Sequence, residues 1–84
     1  MNIIWTPLAW EDYEYWKKTE PDKIEKIHDL IKDCKRNHFT GLGKPEPLKG
    51  NLKGYWSRRI TQEHRFVYKV STEGPTIIQC RFHY

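Results

Sequence analysis

Two hydrophobic periods divide this sequence, and the change from one to the other constrains its fold more than any other feature. Before residue 38, apolar side chains such as Ile27, Leu30 and Ile31 recur at the spacing of an amphipathic helix. After a segment rich in glycine and proline, apolar and polar residues alternate with the period of two that is typical of strands. A chain of 84 residues has room for one domain, over residues 1–84, so the helices must pack on the strands.

Local start and stop signals give the predicted order of elements. Thr6-Pro7 combines a hydroxyl N-cap with proline at the first helical position, and residues 19–22 have the pattern of a second helix start. The segment 38–50 holds three of the five glycines and two of the five prolines, and is predicted to be a loop. The predicted elements are a strand at 2–5, helices at 8–18 and from 19–22 to about 37, and strands at 55–61, 64–70 and 75–83.

The order β-α-α-β-β-β predicts an α+β fold, in which a helical hairpin packs on one face of a mainly antiparallel sheet. Cys34 and Cys80 fall on the apolar side of their predicted elements, so both are expected to be core residues. Two cysteines cannot form a disulfide scaffold, which favours a reducing, cytoplasmic compartment. No apolar run approaches the length of about 20 residues that a membrane helix needs, and no membrane partner is expected.

The positive charge is concentrated in the second half of the chain. Residues 1–38 hold seven Lys/Arg against eight Asp/Glu, whereas residues 39–84 hold eight against three, a net charge of +5. A local basic surface favours a polyanionic partner such as nucleic acid. A solvated basic surface on a small protein is the alternative at this point.

Strand alternation divides the side chains of the predicted sheet between two faces. The apolar set, expected to face the helices, includes Phe66, Tyr68, Ile78, Cys80 and Phe82. The opposite face is predicted to carry Arg59, Arg65, Arg81 and His83, flanked by Tyr55 and Tyr84. Arg58 falls on the apolar side, and its charge is expected to reach the edge of the sheet. Guanidinium groups and aromatic rings of this kind suit RNA phosphates and unpaired bases, although a solvated sheet face has the same composition.

Glu46 and His83 are the residues of this sequence that are suited to acid–base chemistry. Glu46 is the only acidic residue between Asp33 and Glu63, and nearby Lys44 and Lys49 favour its ionised form. His83 can act as an acid near neutral pH. Together with the cations they fit metal-free RNA cleavage, in which a 2′-OH attacks the adjacent phosphate. An ordinary solvated glutamate and a surface histidine are the alternatives, and no cysteine or histidine spacing predicts a metal site.

Four segments carry a resemblance to a known family. They are KPEPLK at 44–49, WSRRIT at 56–61, EHRFVY at 63–68 and CRFHY at 80–84. With Ile4-Trp5 at the start, they resemble the YoeB toxins of YefM–YoeB toxin–antitoxin systems, which belong to the RelE-like mRNA interferases. The resemblance covers the whole chain and implies the RelE-like toxin fold.

The resemblance also implies an activity and a role for each site residue. The implied activity is ribosome-dependent cleavage of mRNA in the A site, with no cofactor. The implied general base is Glu46 and the implied general acid is His83. Arg65, Arg59 and Lys49 would bind or neutralise the phosphate, and Tyr84 would position the substrate. Lys44 and Arg81 are further candidates for contacts with RNA.

Partners follow from the same resemblance. A YefM-like antitoxin with an acidic, partly disordered tail would hold the toxin inactive, and operator DNA would be bound only by the toxin–antitoxin complex. The ribosome, its rRNA and mRNA are the other implied partners, and a homodimer is a further expectation. The competing hypothesis is a non-catalytic basic module that binds RNA or an antitoxin and acts as a co-repressor.

Overall fold

The computed structural model describes residues 2–83, which form two helices and a five-stranded sheet. The elements are β1 (Ile4–Trp5), α1 (Pro7–Thr19), α2 (Asp22–Arg36), β2 (Glu46–Pro47), β3 (Trp56–Arg59), β4 (Arg65–Ser71) and β5 (Gly74–Gln79). The strand order is β1-β5-β4-β3-β2, with β1 parallel to β5 and the other pairs antiparallel. The predicted α+β class and the order of the six predicted elements are confirmed. Neither helix of residues 2–83 is long and apolar enough to cross a membrane.

The two helix starts differ in how well the sequence predicted them. Thr6 caps α1 as expected, since its Oγ1 accepts a hydrogen bond from the Ala9 amide over 3.2 Å and Pro7 follows at the first position. The second start signal is wrong in detail. Thr19 ends α1, and its hydroxyl donates to the Tyr15 carbonyl over 2.8 Å instead of capping α2.

The core lies between the helices and one face of the sheet. Its fully buried members are Ala9, Trp16, Ile27, Leu30, Cys34, Phe66, Tyr68, Ile77 and Cys80. Both cysteines are core residues, as predicted, and burial raises the pKa of the Cys80 thiol to about 12. Trp16 Nε1 donates to the Cys80 carbonyl over 2.8 Å, so α1 is joined to the chain beyond β5.

A bulge in β5 changes which residues face the core. Val67 lies opposite Gln79, but the next residue, Tyr68, lies opposite Ile77, so Ile78 is the extra residue of a β-bulge. Ile77 is therefore buried in the core, where the alternation had placed Ile78. The strand also ends at Gln79, four residues earlier than predicted.

The loop predicted at 38–50 contains a strand. Glu46 and Pro47 form β2, which pairs with β3 at the edge of the sheet, and a single 3-10 turn follows at Gly50–Leu52. Proline is tolerated on an edge strand because one side of that strand needs no hydrogen-bond partner. Two paired residues, of which one is a proline, show no alternation, so the sequence pattern could not reveal them.

Arg58 lies inside the domain, and the expectation that its charge reaches the edge is wrong. Its side chain is fully buried, with Nη1 2.6 Å from Asp33 Oδ2 and Nε donating to the Tyr68 hydroxyl over 3.2 Å. It also donates to the main-chain carbonyls of Asn37, Thr40 and Leu42. A buried guanidinium is tolerated when its donors are paired in this way. Arg58 thereby fixes the segment that leads from α2 into β2.

Candidate active site

Glu46 lies on the sheet face turned away from the helices. It is directly opposite Ser57 of β3, which in turn lies opposite Val67 of β4. Glu46 is exposed, because β2 is the outermost strand. The face thus has a carboxylate at its edge, as the alternation of β3 and β4 requires.

Arg59 and Arg65 are direct neighbours across β3 and β4 on this same face. Like charges in directly opposite positions destabilise a sheet. The pair also concentrates positive potential at one place on this face. Arg65 is held there by its surroundings: it is 8% exposed, and Nη1 donates to the Thr61 and Gln62 carbonyls over 2.8 Å each. Arg59 is exposed. Its position is diagonal to that of Glu46, a relationship that separates Cα atoms by about 7–8 Å.

The two lysines of the segment lie on either side of β2. Lys44 precedes the strand with a φ of 52°, a left-handed conformation, and the residue before it accepts a hydrogen bond from the Arg59 amide over 2.7 Å. Lys49 follows the strand immediately before the 3-10 turn. Both side chains are exposed. The lysines therefore add positive charge at both ends of the strand that carries Glu46.

The chain after β5 returns to the start of β4. The Phe82 amide donates to His64 Nδ1 over 2.8 Å, and the Arg65 amide donates to the Phe82 carbonyl over 3.0 Å. His83 is the next residue and is exposed. Its main chain therefore follows directly from a residue bonded to Arg65. Tyr84 lies outside the described residues.

Arg81 does not lie on this face. The prediction that Arg59, Arg65, Arg81 and His83 share one face is therefore wrong for Arg81. Its guanidinium carbon lies 3.5 Å from the centre of the Tyr15 ring on α1, a cation–π contact. It lines a cavity of about 490 Å³ together with Trp10, Glu14 and other residues of α1. The prediction for Arg81 depended on a strand that continues to residue 83, but β5 ends at Gln79, so the alternation does not extend to Arg81.

The arrangement supplies the groups for a phosphoryl transfer without a resident metal. It has a carboxylate on an open edge, two arginines paired across β3 and β4, flanking lysines and a histidine that follows an anchored residue. Among residues 2–83, no three His, Cys, Asp or Glu side chains are grouped so as to hold a metal ion. Cations can neutralise a phosphate while the carboxylate and the imidazole transfer protons.

Two residues that hold segments of the site in place were not predicted from the sequence. The sequence assigns no role to His64, whose Nδ1 accepts a hydrogen bond from an amide 18 residues away. The alternation predicts that the charge of Arg58 reaches the edge, whereas Arg58 fixes the segment before Glu46 from inside the domain. Neither contact has a local signal, because each joins positions that are far apart in the chain.

A family model for the YoeB-like toxin of bacterial type II toxin–antitoxin systems matches residues 5–84. The chain belongs to this family. Toxin YoeB of Escherichia coli K12 is 54% identical over all 84 residues and the full length of both chains, and Toxin YoeB of Synechocystis is 50% identical over all of this chain and 98% of the relative.

Solved structures agree with this assignment. The YoeB/ParE toxin from Agrobacterium tumefaciens is 60% identical over the whole of both chains, with a TM-score of 0.96. A chain of the YoeB dimer from Staphylococcus aureus is 46% identical over all of this chain and 98% of that one, with a TM-score of 0.94. The toxin–antitoxin complex RelBE2 from Mycobacterium tuberculosis, at 21% identity and a TM-score of 0.71, shares the fold. The RelE-like fold expected from the resemblance is confirmed for this YoeB-like chain.

Proposed function

We propose that this YoeB-like toxin is a ribosome-dependent endoribonuclease that cleaves mRNA in the A site and so inhibits translation. The observation that carries the proposal is the direct pairing of Arg59 and Arg65 on the face where Glu46 lies. The guanidinium groups of two paired arginines suit the oxygens of a phosphodiester, and a carboxylate on the same face suits the 2′-OH beside it. Like charges directly opposite each other destabilise a sheet, so a sheet face with a purely structural role is not expected to carry them.

The mechanism assigns one proton transfer to each end of the reacting phosphate. Glu46 removes the proton from the 2′-OH, and the oxygen attacks phosphorus to form a cyclic phosphate. The bond from phosphorus to the 5′-oxygen breaks, and His83 gives its proton to that oxygen. Arg65, Arg59 and Lys49 neutralise the charge that builds on the phosphate oxygens during the attack.

The ribosome supplies the substrate geometry that the small toxin does not enclose. Glu46, Arg59 and His83 are all exposed, so the site is an open surface. An open site gains rate when a second body holds the RNA in line for attack. Tyr84 is proposed to position the RNA, and Lys44 to contact its backbone or rRNA.

The partners of relatives extend the proposal to regulation in the cytoplasm. A YoeB–YefM complex from Staphylococcus aureus contains a chain 46% identical to this one, with a TM-score of 0.92. We propose that a YefM-like antitoxin binds and silences this toxin, that the complex binds operator DNA, and that the toxin itself can form a homodimer. The net charge of +5 over residues 39–84 favours a partner with an acidic segment.

The test is cleavage of mRNA on programmed ribosomes by purified protein. Glu46→Ala and His83→Ala should each lower the rate at least about a hundredfold, since general acid–base groups contribute about 10²–10⁴-fold. Glu73→Ala is the matched control, because Glu73 is an exposed glutamate in the β4–β5 turn. Full activity of Glu46→Ala and His83→Ala would refute the mechanism. Tight RNA binding by the wild type without cleavage would support the non-catalytic module instead.

A further inference from the structure

The main chain turns sharply at Phe82, just before the proposed general acid. Its φ is 64°, in the left-handed region that a bulky side chain rarely adopts. That conformation is unfavourable for residues other than glycine, so it persists where neighbouring groups hold it. We propose that His64 is a positioning residue that holds this turn and thereby sets the direction in which His83 leaves it. The inference rests on the proposed function of His83.

Both polar atoms of the Phe82 main chain are bound by consecutive residues, His64 just before β4 and Arg65 at its start. The amide donates to His64 Nδ1 over 2.8 Å, and the carbonyl accepts from the Arg65 amide over 3.0 Å. A main-chain amide can only donate, so Nδ1 carries no proton in this contact and the proton of the neutral ring is on Nε2. The imidazole therefore acts as a fixed acceptor one residue away from His83.

His64 can serve as a rigid support because its own ring is held. The ring packs edge-on against Trp16, with 4.8 Å between the ring centres, and Trp16 is fully buried. The His64 carbonyl accepts from the Ile60 amide over 3.0 Å. A supporting side chain that is itself fixed can place a reacting group within the fraction of an ångström that catalysis requires.

Two substitutions separate the hydrogen bond from the packing. His64→Phe keeps an aromatic ring against Trp16 and removes the acceptor. His64→Asn loses the ring but keeps an oxygen at the place of Nδ1, where it can accept from the Phe82 amide. A residue that acts through packing alone would tolerate phenylalanine better than asparagine, whereas a positioning acceptor predicts the opposite order.

The kinetic test compares both variants with wild type on programmed ribosomes. We expect His64→Phe to lower kcat about tenfold or more with little change in KM, because a misplaced acid affects the chemical step and not ribosome binding. His64→Asn should stay within about threefold of wild type in kcat. A wild-type kcat for His64→Phe, or a loss in His64→Asn as large as in His64→Phe, would overturn the inference.

Hydrogen exchange of the Phe82 amide tests the same contact without using activity. By NMR, this amide should exchange faster in His64→Phe than in wild type and His64→Asn, while the Thr6 amide, which bonds the Ile77 carbonyl, stays unchanged as the control. Equal Phe82 exchange in all three proteins would overturn the inference. The proposed function fails if wild type does not cleave mRNA, or if His83→Ala cleaves it as fast as wild type does. In either case the exchange rates still decide whether His64 holds the turn.

Discussion

Arg58 Nη1 lies 2.6 Å from Asp33 Oδ2, and this ion pair joins α2 to β3. The guanidinium is completely buried, while the Asp33 side chain is 23% exposed. Asp33 Oδ2 also accepts from the Leu42 amide over 2.8 Å. The pair therefore fixes the segment between α2 and β2, whose last residues lead to Glu46. Breaking this ion pair should lower the stability of the fold, and through the segment before Glu46 it should also disturb the site.

Removing the carboxylate should destabilise the protein strongly. Asp33→Ala leaves the Arg58 guanidinium buried without its counter-ion, and loss of one partner of a buried pair costs about 3–5 kcal/mol. We expect a loss in the free energy of unfolding near 3 kcal/mol, because Asp33 is partly exposed. Urea unfolding measures it, with Asp29→Ala as the control, since Asp29 is an exposed carboxylate on the same helix. Equal unfolding midpoints for the two variants would show that the pair does not stabilise the fold.

Asp12 should give stability an unusual dependence on pH. Burial raises the pKa of its carboxyl, although the Cys80 amide donates to Oδ2 over 3.1 Å. The folded state therefore binds the proton more tightly than the unfolded state, whose carboxyl has a pKa of about 3.9. The resulting stability is fully present below about pH 3.9 and is lost as pH rises through the higher folded value.

Asp12→Asn isolates this contribution, because asparagine keeps an oxygen for the Cys80 amide and cannot ionise. We expect the free energy of unfolding of wild type to fall relative to Asp12→Asn as pH rises from about 3 to 7. Asp33 has the opposite sign, since Arg58 holds the pKa of its carboxyl below the ordinary value. A difference between wild type and Asp12→Asn that is the same at both ends of this range would contradict the assignment.

Arg59 and Arg81 should differ sharply in their effect on cleavage. Arg59 lies opposite Arg65 on the proposed reactive face, whereas Arg81 packs on Tyr15 beside α1. Arg59→Gln should lower the rate about tenfold or more, the value of a charge-assisted hydrogen bond of about 1.5–3 kcal/mol. Arg81→Gln should keep the cleavage rate within about threefold of wild type, because a change beside α1 should alter the free-energy barrier to cleavage only slightly. Cleavage rates on programmed ribosomes decide between them, and a larger loss in Arg81→Gln would show that RNA reaches the α1 side.

Both thiols should be inert in the folded protein. Burial raises the pKa of Cys34 and raises that of Cys80 to about 12, so little reactive thiolate forms near neutral pH. Iodoacetamide at pH 8 should therefore label neither cysteine in buffer and both in urea, as read by mass spectrometry. Rapid labelling of Cys80 in buffer would show that the chain after β5 opens readily.

The sequence predicted those parts of the fold that depend on local pattern. Thr6 and Pro7 mark a helix start by their own chemistry, and the alternation around Phe66 identifies the inward face of β4. The sequence could not predict the bulge at Ile78, because an extra residue in a strand is recognised only from its pairing with the neighbouring strand. The missed bulge puts Ile77 in the core in place of Ile78, whereas Arg81 is misplaced because β5 ends at Gln79 and the alternation does not extend beyond it.

For the candidate site, sequence supplied the residue types, and the fold supplied their relation to one another. Glu46, Arg59 and Arg65 share a face because β2 pairs with β3 and β3 with β4. The pairing of a two-residue strand depends on tertiary contacts, among them the bond from the Arg59 amide to the Gly43 carbonyl. Such contacts have no local signature.

The parallel pairing of β1 with β5 has a consequence for the order in which the domain folds. Ile4 and Trp5 each precede their partners, Thr76 and Ile77, by 72 positions in the sequence. Closing such a long separation is slow compared with forming local contacts. The two helices and the β4–β5 hairpin, whose contacts are local, should therefore form before β1 joins the sheet.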